Sequence, residues 1–211
     1  MRAVVAGGTG LVGSHLLDEL AWRRVPTLAL GRREGRPRPA LEWRVKDLAA
    51  LGPGDIPAGT DVAFCCLGTT LRAAGSQEAF RAVDHGMVLA FARACRAAGV
   101  TQFHAVSAMG ASLRSPFFYS RVKGEAERDL QALGFPTLVL YRPGLIDGER
   151  AERRPGEGAA LAFGRALRPL LPGNARPVRA QAIARAMVLG ARAAPPGTTV
   201  LASRQVARAG A

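Results

Sequence analysis

Ser107, Tyr119 and Lys123 are the residues whose types and spacing could carry out chemistry. Tyr119 and Lys123 lie about one helical turn apart, so on a helix the phenol and the ammonium share a face. A phenol with an ordinary pKa near 10 is a poor general base at neutral pH. A lysine about 4 Å away, at intermediate effective dielectric, could favour the phenolate by up to about 4 kcal/mol. Tyr119 could then exchange a proton with a substrate hydroxyl or carbonyl oxygen, while Ser107 holds that oxygen by hydrogen bonding. A second task open to Lys123 is a bond to a cofactor ribose. The spacing by itself equally fits a tyrosine packed on a sheet and a lysine whose stem crosses apolar surface to reach water.

These three residues need a strand end and a helix start to hold them. Phe103 to Val106 reads as a strand, with Ser107 at its end and Gly110 three residues later. Ser115 and Pro116 read as the N-cap and first residue of a helix running to about Leu133. The Phe117 and Phe118 pair beside the tyrosine fits either a pocket lining or the core.

Val4 to Gly13, VVAGGTGLVG, supplies the other half of a reaction centre. An apolar strand-like run breaks into glycines, and Leu11, Leu16, Leu17 and Leu20 come after it at helical spacing. Gly8, Gly10 and Gly13 satisfy GxGxxG, and Gly7, Gly10 and Gly13 satisfy GxxGxxG. In a dinucleotide-binding turn one glycine makes the bend, another lets backbone approach the pyrophosphate, and a third allows close packing of helix on strand. The helix N-terminus then offers unpaired N–H groups to the phosphates. Gly7, Gly8, Thr9, Gly10, Leu11, Val12 and Gly13 are therefore candidate cofactor contacts.

The rest of the chain reads as strands alternating with helices, which predicts a doubly wound parallel sheet with helices on both faces. A strand over Thr27–Leu30 ends at Gly31, Arg32 and Arg33. Arginine at this strand tip accommodates a ribose 2′-phosphate where a carboxylate would bind the free hydroxyl, so NADP(H) is favoured over NAD(H). Leu41–Lys46 reads as a third strand, and Asp47, with Leu48, stands where it could meet the adenine or cap the next turn. Val62–Leu67 is a continuous apolar run, as in a sheet covered on both faces. Leu67, Gly68, Thr69 and Thr70 place small groups where a cofactor would pass. Ser76 caps a predicted helix from Gln77 to Ala98 with Phe80, Val83, Met87, Phe91 and Cys95 on one apolar face, and Gly99 stops it.

A chain of 211 residues with 48% apolar content suits one domain with a real core. It divides into a cofactor part over about 1–143 and a small substrate-side part over about 144–211. In the latter, Glu149 to Glu157 reads as a charged loop, Leu161–Leu171 and Pro177–Ala193 as helices, and Thr198–Leu201 as a last strand. So short a part predicts a small or shallow substrate pocket.

The formal net charge of +13 raises the question of nucleic acid. Its basic residues are almost all arginine, scattered, and not interleaved with aromatic rings for base stacking, so nucleic acid is not the expected partner. No run is long and apolar enough to span a bilayer and no secretory signature is evident, so no membrane partner is expected. Three cysteines, Cys65, Cys66 and Cys95, in apolar segments argue against disulfides or a metal site. Together these features predict a cytoplasmic location. A small-molecule substrate is the expected partner, and the sequence is compatible with a homodimer or with a regulatory protein partner.

GGTGLVG, Ser107, Tyr119 and Lys123, in this order and spacing, resemble the short-chain dehydrogenase/reductase superfamily. CCLGTT (65–70), AGSQEAFRAVD (74–84), VSAMGA (106–111), FYSRVKGEAE (118–127) and YRPGLIDGERAERRPGE (141–157) resemble its atypical branch. That branch holds bacterial NAD(P)-binding epimerase/dehydratase-like proteins and a human Tat-interacting tumour-suppressor protein. The resemblance covers about residues 2–190 and implies a Rossmann-type sheet, NADP(H) in the cleft, and Pro143 and Gly144 near the nicotinamide. Two departures stand out. Many relatives carry two serines after strand five, and here the second is Ala108. The asparagine of the reductase proton relay is not evident, and Asp84 and His85 occupy that part of the helix.

Three functions are consistent with these residues. The leading one is hydride transfer between NADP(H) and a carbonyl or alcohol, using Ser107, Tyr119 and Lys123. The alternative is an NADP(H)-sensing regulatory protein with little turnover, and the third is a non-redox epimerase or dehydratase, against which the small C-terminal part argues.

Overall fold

The computed structural model describes residues 1–147 and 177–211. The expected charged loop at Glu149–Glu157 and helix at Leu161–Leu171 fall outside these residues. Seven strands form one parallel sheet: β1 (Ala3–Ala6), β2 (Thr27–Gly31), β3 (Leu41–Val45), β4 (Val62–Cys65), β5 (Gln102–Val106), β6 (Thr137–Arg142) and β9 (Gly197–Ala202). Their order across it is β3-β2-β1-β4-β5-β6-β9. A second, two-stranded piece pairs β7 (Ile146–Asp147) with β8 (Val178–Arg179), in register Ile146 to Val178. The helices are α1 (Leu11–Trp22), α2 (Leu71–Ala74), α3 (Gln77–Arg81), α4 (Val88–Ala97), α5 (Phe118–Ala132), α6 (Ala180–Ala193) and α7 (Ser203–Ala209).

Alternation along the strands divides the core into two layers, because successive side chains leave a strand on opposite faces. Val4, Ala6, Leu28, Leu30, Ala63, Cys65, Phe103 and Leu138 pack under α4 and α5 with Phe91 and Leu130. Ala3, Val5, Ala29, Phe64, Val139 and Tyr141 pack under α1 and α6 with Leu16, Leu20, Ile183 and Met187. A parallel sheet buried on both faces is the Rossmann-type arrangement that the alternating pattern predicts.

The helix expected over Gln77–Ala98 is present with its Ser76 cap, whose Oγ accepts from Ala79 N–H, and with Gly99 left-handed at its end. It is not uniform, however: Ala82–Met87 forms a π-helical stretch between α3 and α4. A wider turn absorbs an extra residue and rotates the helical turns beyond it. The buried positions therefore run Phe80, Asp84, Val88, Phe91, Cys95, and the expected Val83 and Met87 are only half-buried.

Two other boundaries shift. Phe117 is extended and α5 begins at Phe118, because Ser115 Oγ accepts from Phe117 N–H in a local turn instead of capping the helix. Val178 and Arg179 pair with β7, so α6 starts at Ala180 and not at Pro177.

His104 on β5 is fully buried, with Nδ1 3.1 Å from Tyr141 Oη and Nε2 without a hydrogen-bond partner among the described residues. Burial pushes its pKa down to about 3. The unfolded chain takes up a proton on this ring below about pH 6.5, while the folded chain does so only near 3. Stability supplied by neutral His104 is thus complete above pH 6.5 and is lost as pH falls toward 3. Urea unfolding between pH 7 and pH 4 is expected to show a slope that His104→Gln reduces by up to about 1.4 kcal/mol per pH unit. An unchanged slope would contradict this. A Cβ on Gly13 would collide with the carbonyl of Gly7, whereas one on Gly52 would meet nothing within 4 Å among the described residues. Gly13→Ala is expected to cost about 1–3 kcal/mol in the same assay, and Gly52→Ala no more than about 0.5.

Candidate functional site

The C-terminal ends of the parallel strands gather the expected residues, as open α/β sheets place ligand crevices there. At β1 the chain turns through Gly7, whose φ is +84° and whose Cβ would lie 2.5 Å from the backbone carbon of Cys66 after β4. Gly10 N–H donates to Gly7 O at 3.0 Å, closing the turn directly before α1. Gly10 is the N-cap of α1, no side chain among the described residues caps it, and the first turn holds no acidic residue. Backbone N–H groups therefore remain to meet an anion, which fits the pyrophosphate of a dinucleotide. Val12 and Gly13 are buried in the close packing, and Thr9 and Gly10 are exposed at the turn.

The tip of β2 is held by contacts that no sequence pattern marks. A Cβ on Gly8 would lie 3.0 Å from the Trp43 ring, and one on Gly35 2.5 Å from it, so this indole packs between the glycine turn and the loop after β2. Arg38 closes that loop on α1, donating through Nε to Asp18 Oδ1 at 2.6 Å and through Nη2 to Ser14 Oγ at 2.9 Å. Arg38 is thus structural, and Arg32 and Arg33 stand exposed at the tip. Asp47 Oδ1 accepts from Ala49 N–H at 3.0 Å, so it caps its own turn, and Leu48 is buried in the core. Thr70 likewise caps α2, accepting from Ala73 N–H.

Tyr119 and Lys123 lie on the inward face of α5, Tyr119 with its ring centroid 5.3 Å from that of Phe80. Lys123 is buried and pairs with buried Asp84 at 2.7 Å, on the π-helical stretch. Asp84 Oδ2 also accepts from Thr69 N–H at 2.8 Å. A Cβ on Gly68 would sit 3.3 Å from Asp84 Oδ1 and 3.6 Å from Lys123 Nζ, so the glycine leaves room for the pair. Burial works against the Lys123 ammonium, yet the Asp84 carboxylate, with Tyr119, outweighs it and the lysine pKa rises. For Tyr119 burial raises the pKa, Lys123 opposes, and Asp84 reinforces, leaving a net rise. The expected activation of the phenolate is therefore outweighed, chiefly by burial of the ring and further by the Asp84 carboxylate.

Ser107 is turned away from the role expected of it. Its hydroxyl donates to buried Glu127 Oε1 at 2.5 Å. Glu127 also accepts from Arg142 Nε at 2.8 Å and from its Nη2. The serine proton is thus committed to a carboxylate that ties α5 to the ends of β5 and β6. Glu127 and Arg142 had a visible sequence signal: Glu127 lies one further turn beyond Lys123 on the same face, and Arg142 directly precedes Pro143.

Pro143 and Gly144 continue from β6 into the cleft. Pro143 O accepts from Met109 N–H at 2.8 Å, and Gly144 N–H donates to Ser203 Oγ at 3.1 Å. The Phe117 and Phe118 pair separates. Phe118 lies 6.0 Å from Phe80, centroid to centroid, while Phe117 is 73% exposed. Met109 and Leu113, on the segment between β5 and α5, are also exposed.

A sequence profile described as NAD(P)H-binding matches residues 7–166. Protein HTATIP2 of Rattus norvegicus is 42% identical over 167 residues, covering 75% of this chain and 68% of the relative. Protein fmp52, mitochondrial, of Aspergillus fumigatus is 38% identical over 172 residues, covering 77% of this chain and 73% of the relative. The same mitochondrial name belongs to relatives from Emericella nidulans and Eremothecium gossypii, and this overturns the cytoplasmic expectation. Cysteine usage and the missing secretory signature separate oxidising from reducing compartments, not one reducing compartment from another. Among solved structures, MoeE5 in complex with UDP-glucuronic acid and NAD shares the fold at a TM-score of 0.78 and 22% identity, covering 95% of this chain and 75% of that one. The human epimerase family protein SDR39U1 with NADPH shares it at 0.67 and 19%, covering 96% and 74%. Sheet topology, glycine turn and sequence relatives agree: this chain belongs to the NAD(P)H-binding family, as an atypical short-chain dehydrogenase/reductase with a Rossmann-type fold.

Proposed function

We propose that the protein is an NADP(H)-dependent oxidoreductase acting on a small carbonyl or alcohol substrate. The observation that carries this reading is Tyr119 on the inward face of α5, next to a buried Lys123 that is linked through Asp84 to the strand end at Gly68 and Thr69. The turn from Gly7 to Gly13 would hold the pyrophosphate, and Arg32 and Arg33 would meet the 2′-phosphate of the adenosine ribose. Thr69, Pro143 and Gly144 would flank the nicotinamide half. When bound, the cofactor supplies or accepts the hydride, and the protein supplies orientation and a proton.

Tyr119 is the residue that moves the proton. Its hydroxyl donates to the substrate oxygen in reduction and accepts from it in oxidation. Ser107 is a positioning residue, since its hydrogen bond to Glu127 joins α5 to the end of β5. Exposed Phe117, Met109 and Leu113 beside the start of α5 favour a substrate with an apolar body.

Titration calorimetry of the cofactor-stripped protein is expected to give micromolar NADPH and NADP+ binding that exceeds NADH and NAD+. Arg32→Ala is expected to remove about tenfold of that preference. Equal binding of all four forms in the unaltered protein would remove the NADP(H) assignment, and binding of none would remove the oxidoreductase reading. On a carbonyl substrate found by screening with NADPH, Tyr119→Phe is expected to lower kcat/KM by about a hundredfold or more, with the NADPH Kd changed by only a few-fold. Ser107→Ala is expected to lose less than about tenfold while costing about 1 kcal/mol in stability, from one lost hydrogen bond to a Glu127 oxygen that keeps its bond from Arg142 Nε. A fully active Tyr119→Phe would refute the mechanism.

A further inference from the structure

The charge arrangement around Tyr119 differs from a lone tyrosine and lysine. Asp84 on the π-helical stretch and Lys123 on α5 form a buried pair, and half-buried Tyr119 stands one helical turn before Lys123 on the same face of α5. Neighbouring charges are accounted for element by element. On the π-helical stretch, His85 pairs outward with Asp129 at 2.7 Å. On α5, Glu127 is balanced by Arg142. From β4 the group meets the Cys65 thiol, which burial pushes up to about 11, and next to it the Thr69 N–H that donates to Asp84. From β5, Ser107 carries no charge and faces Glu127. From α3, Phe80 offers an uncharged ring.

We propose that Asp84 sets the direction of proton transfer in this cleft: by pairing with Lys123 at 2.7 Å it leaves Tyr119 as a proton-bearing phenol, so that the site is built to protonate a carbonyl oxygen. This rests on the oxidoreductase reading and extends it to the carbonyl, in place of the alcohol, as the favoured substrate class.

Net charge in a buried place decides the matter. With Asp84 ionised and Lys123 protonated, the group is neutral as long as the phenol keeps its proton. Removing that proton leaves a net negative charge on a half-buried ring beside the buried pair, which is costly. With an uncharged amide at position 84 the same step would lead from a net positive group to a neutral one. The carboxylate therefore offsets part of the advantage that Lys123 gives to the phenolate, in the same direction as burial of the ring. In the forward step, hydride from the dihydronicotinamide reaches the carbonyl carbon and the C=O π pair closes onto oxygen. That oxygen takes the phenolic proton, and water returns a proton to Tyr119. The balance is carbonyl, NADPH and H+ giving alcohol and NADP+.

The test needs no substrate, because the chain has two tyrosines and Tyr141 is fully buried with its own pKa driven up. The phenolate ultraviolet absorbance of the full chain is titrated against pH, with Tyr119→Phe as the blank. Asp84→Asn is expected to lower the Tyr119 midpoint by about one pH unit or more, and Asp84→Glu to leave it near the starting value. An unchanged or higher midpoint in a folded Asp84→Asn protein would overturn the proposal. Should Asp84→Asn not fold, the double variant Asp84→Asn/Lys123→Met removes both charges. Its midpoint is expected within about half a pH unit of the original if the pair is self-neutralising, whereas a rise of about a unit or more would show that Lys123 had been acting on Tyr119, and would overturn the proposal. NADPH titration of the same proteins is read separately: absent binding with a shifted midpoint rejects the oxidoreductase reading and leaves the Asp84 assignment standing.

Discussion

A buried ammonium costs several kcal/mol unless a partner and further hydrogen bonds compensate it, and the cleft is arranged around meeting that demand at Lys123. The carboxylate arrives from the helix opposite, where Asp84, four residues beyond Phe80 and within the π-helical stretch, is buried while Val83 is only half-buried. The second carboxylate oxygen is taken by Thr69 N–H, and Gly68 contributes no side chain where the pair sits. Three segments distant in sequence are thereby held together at the strand ends.

Much the same logic governs the other half of the cleft, with steric closeness in place of charge. Gly7 and Gly13 allow the first strand, the first helix and the end of β4 to approach to distances that a Cβ would forbid. Among the described residues no side chain caps the N-terminus of α1, where backbone dipoles can act on an anion. Trp43 and Arg38 complete this half by fixing the loop after β2 against the glycine turn and α1.

Glu127 shows how one buried carboxylate can join elements and alter a function assignment together. Ser107 at the end of β5 and Arg142 at the end of β6 both donate to it. The bond that makes Ser107 structurally useful occupies the hydrogen that a substrate oxygen would need. With Ala108 in the next position, the strand end offers no further side-chain hydroxyl at these two residues.

The fold is legible in the sequence because its signals are local. Apolar runs of strand length, the glycine turn before a helical pattern, the Ser76 cap and the Gly99 stop each depend on a few neighbouring residues. The shared face of Tyr119 and Lys123 comes from helical period alone. What the tertiary structure decided depends on residues far apart in the chain or on small rotations. No local pattern marks the π-helical stretch, so a regular helical period places the inward face of that helix one residue off and gives Asp84 no partner. The sequence puts Ser107 at a strand end, but its hydrogen bond is decided by Glu127, twenty residues on. Spacing can state which groups lie near one another along an element, whereas charge state and hydrogen-bond direction are set by whatever other elements are packed against them, and only folding brings those together.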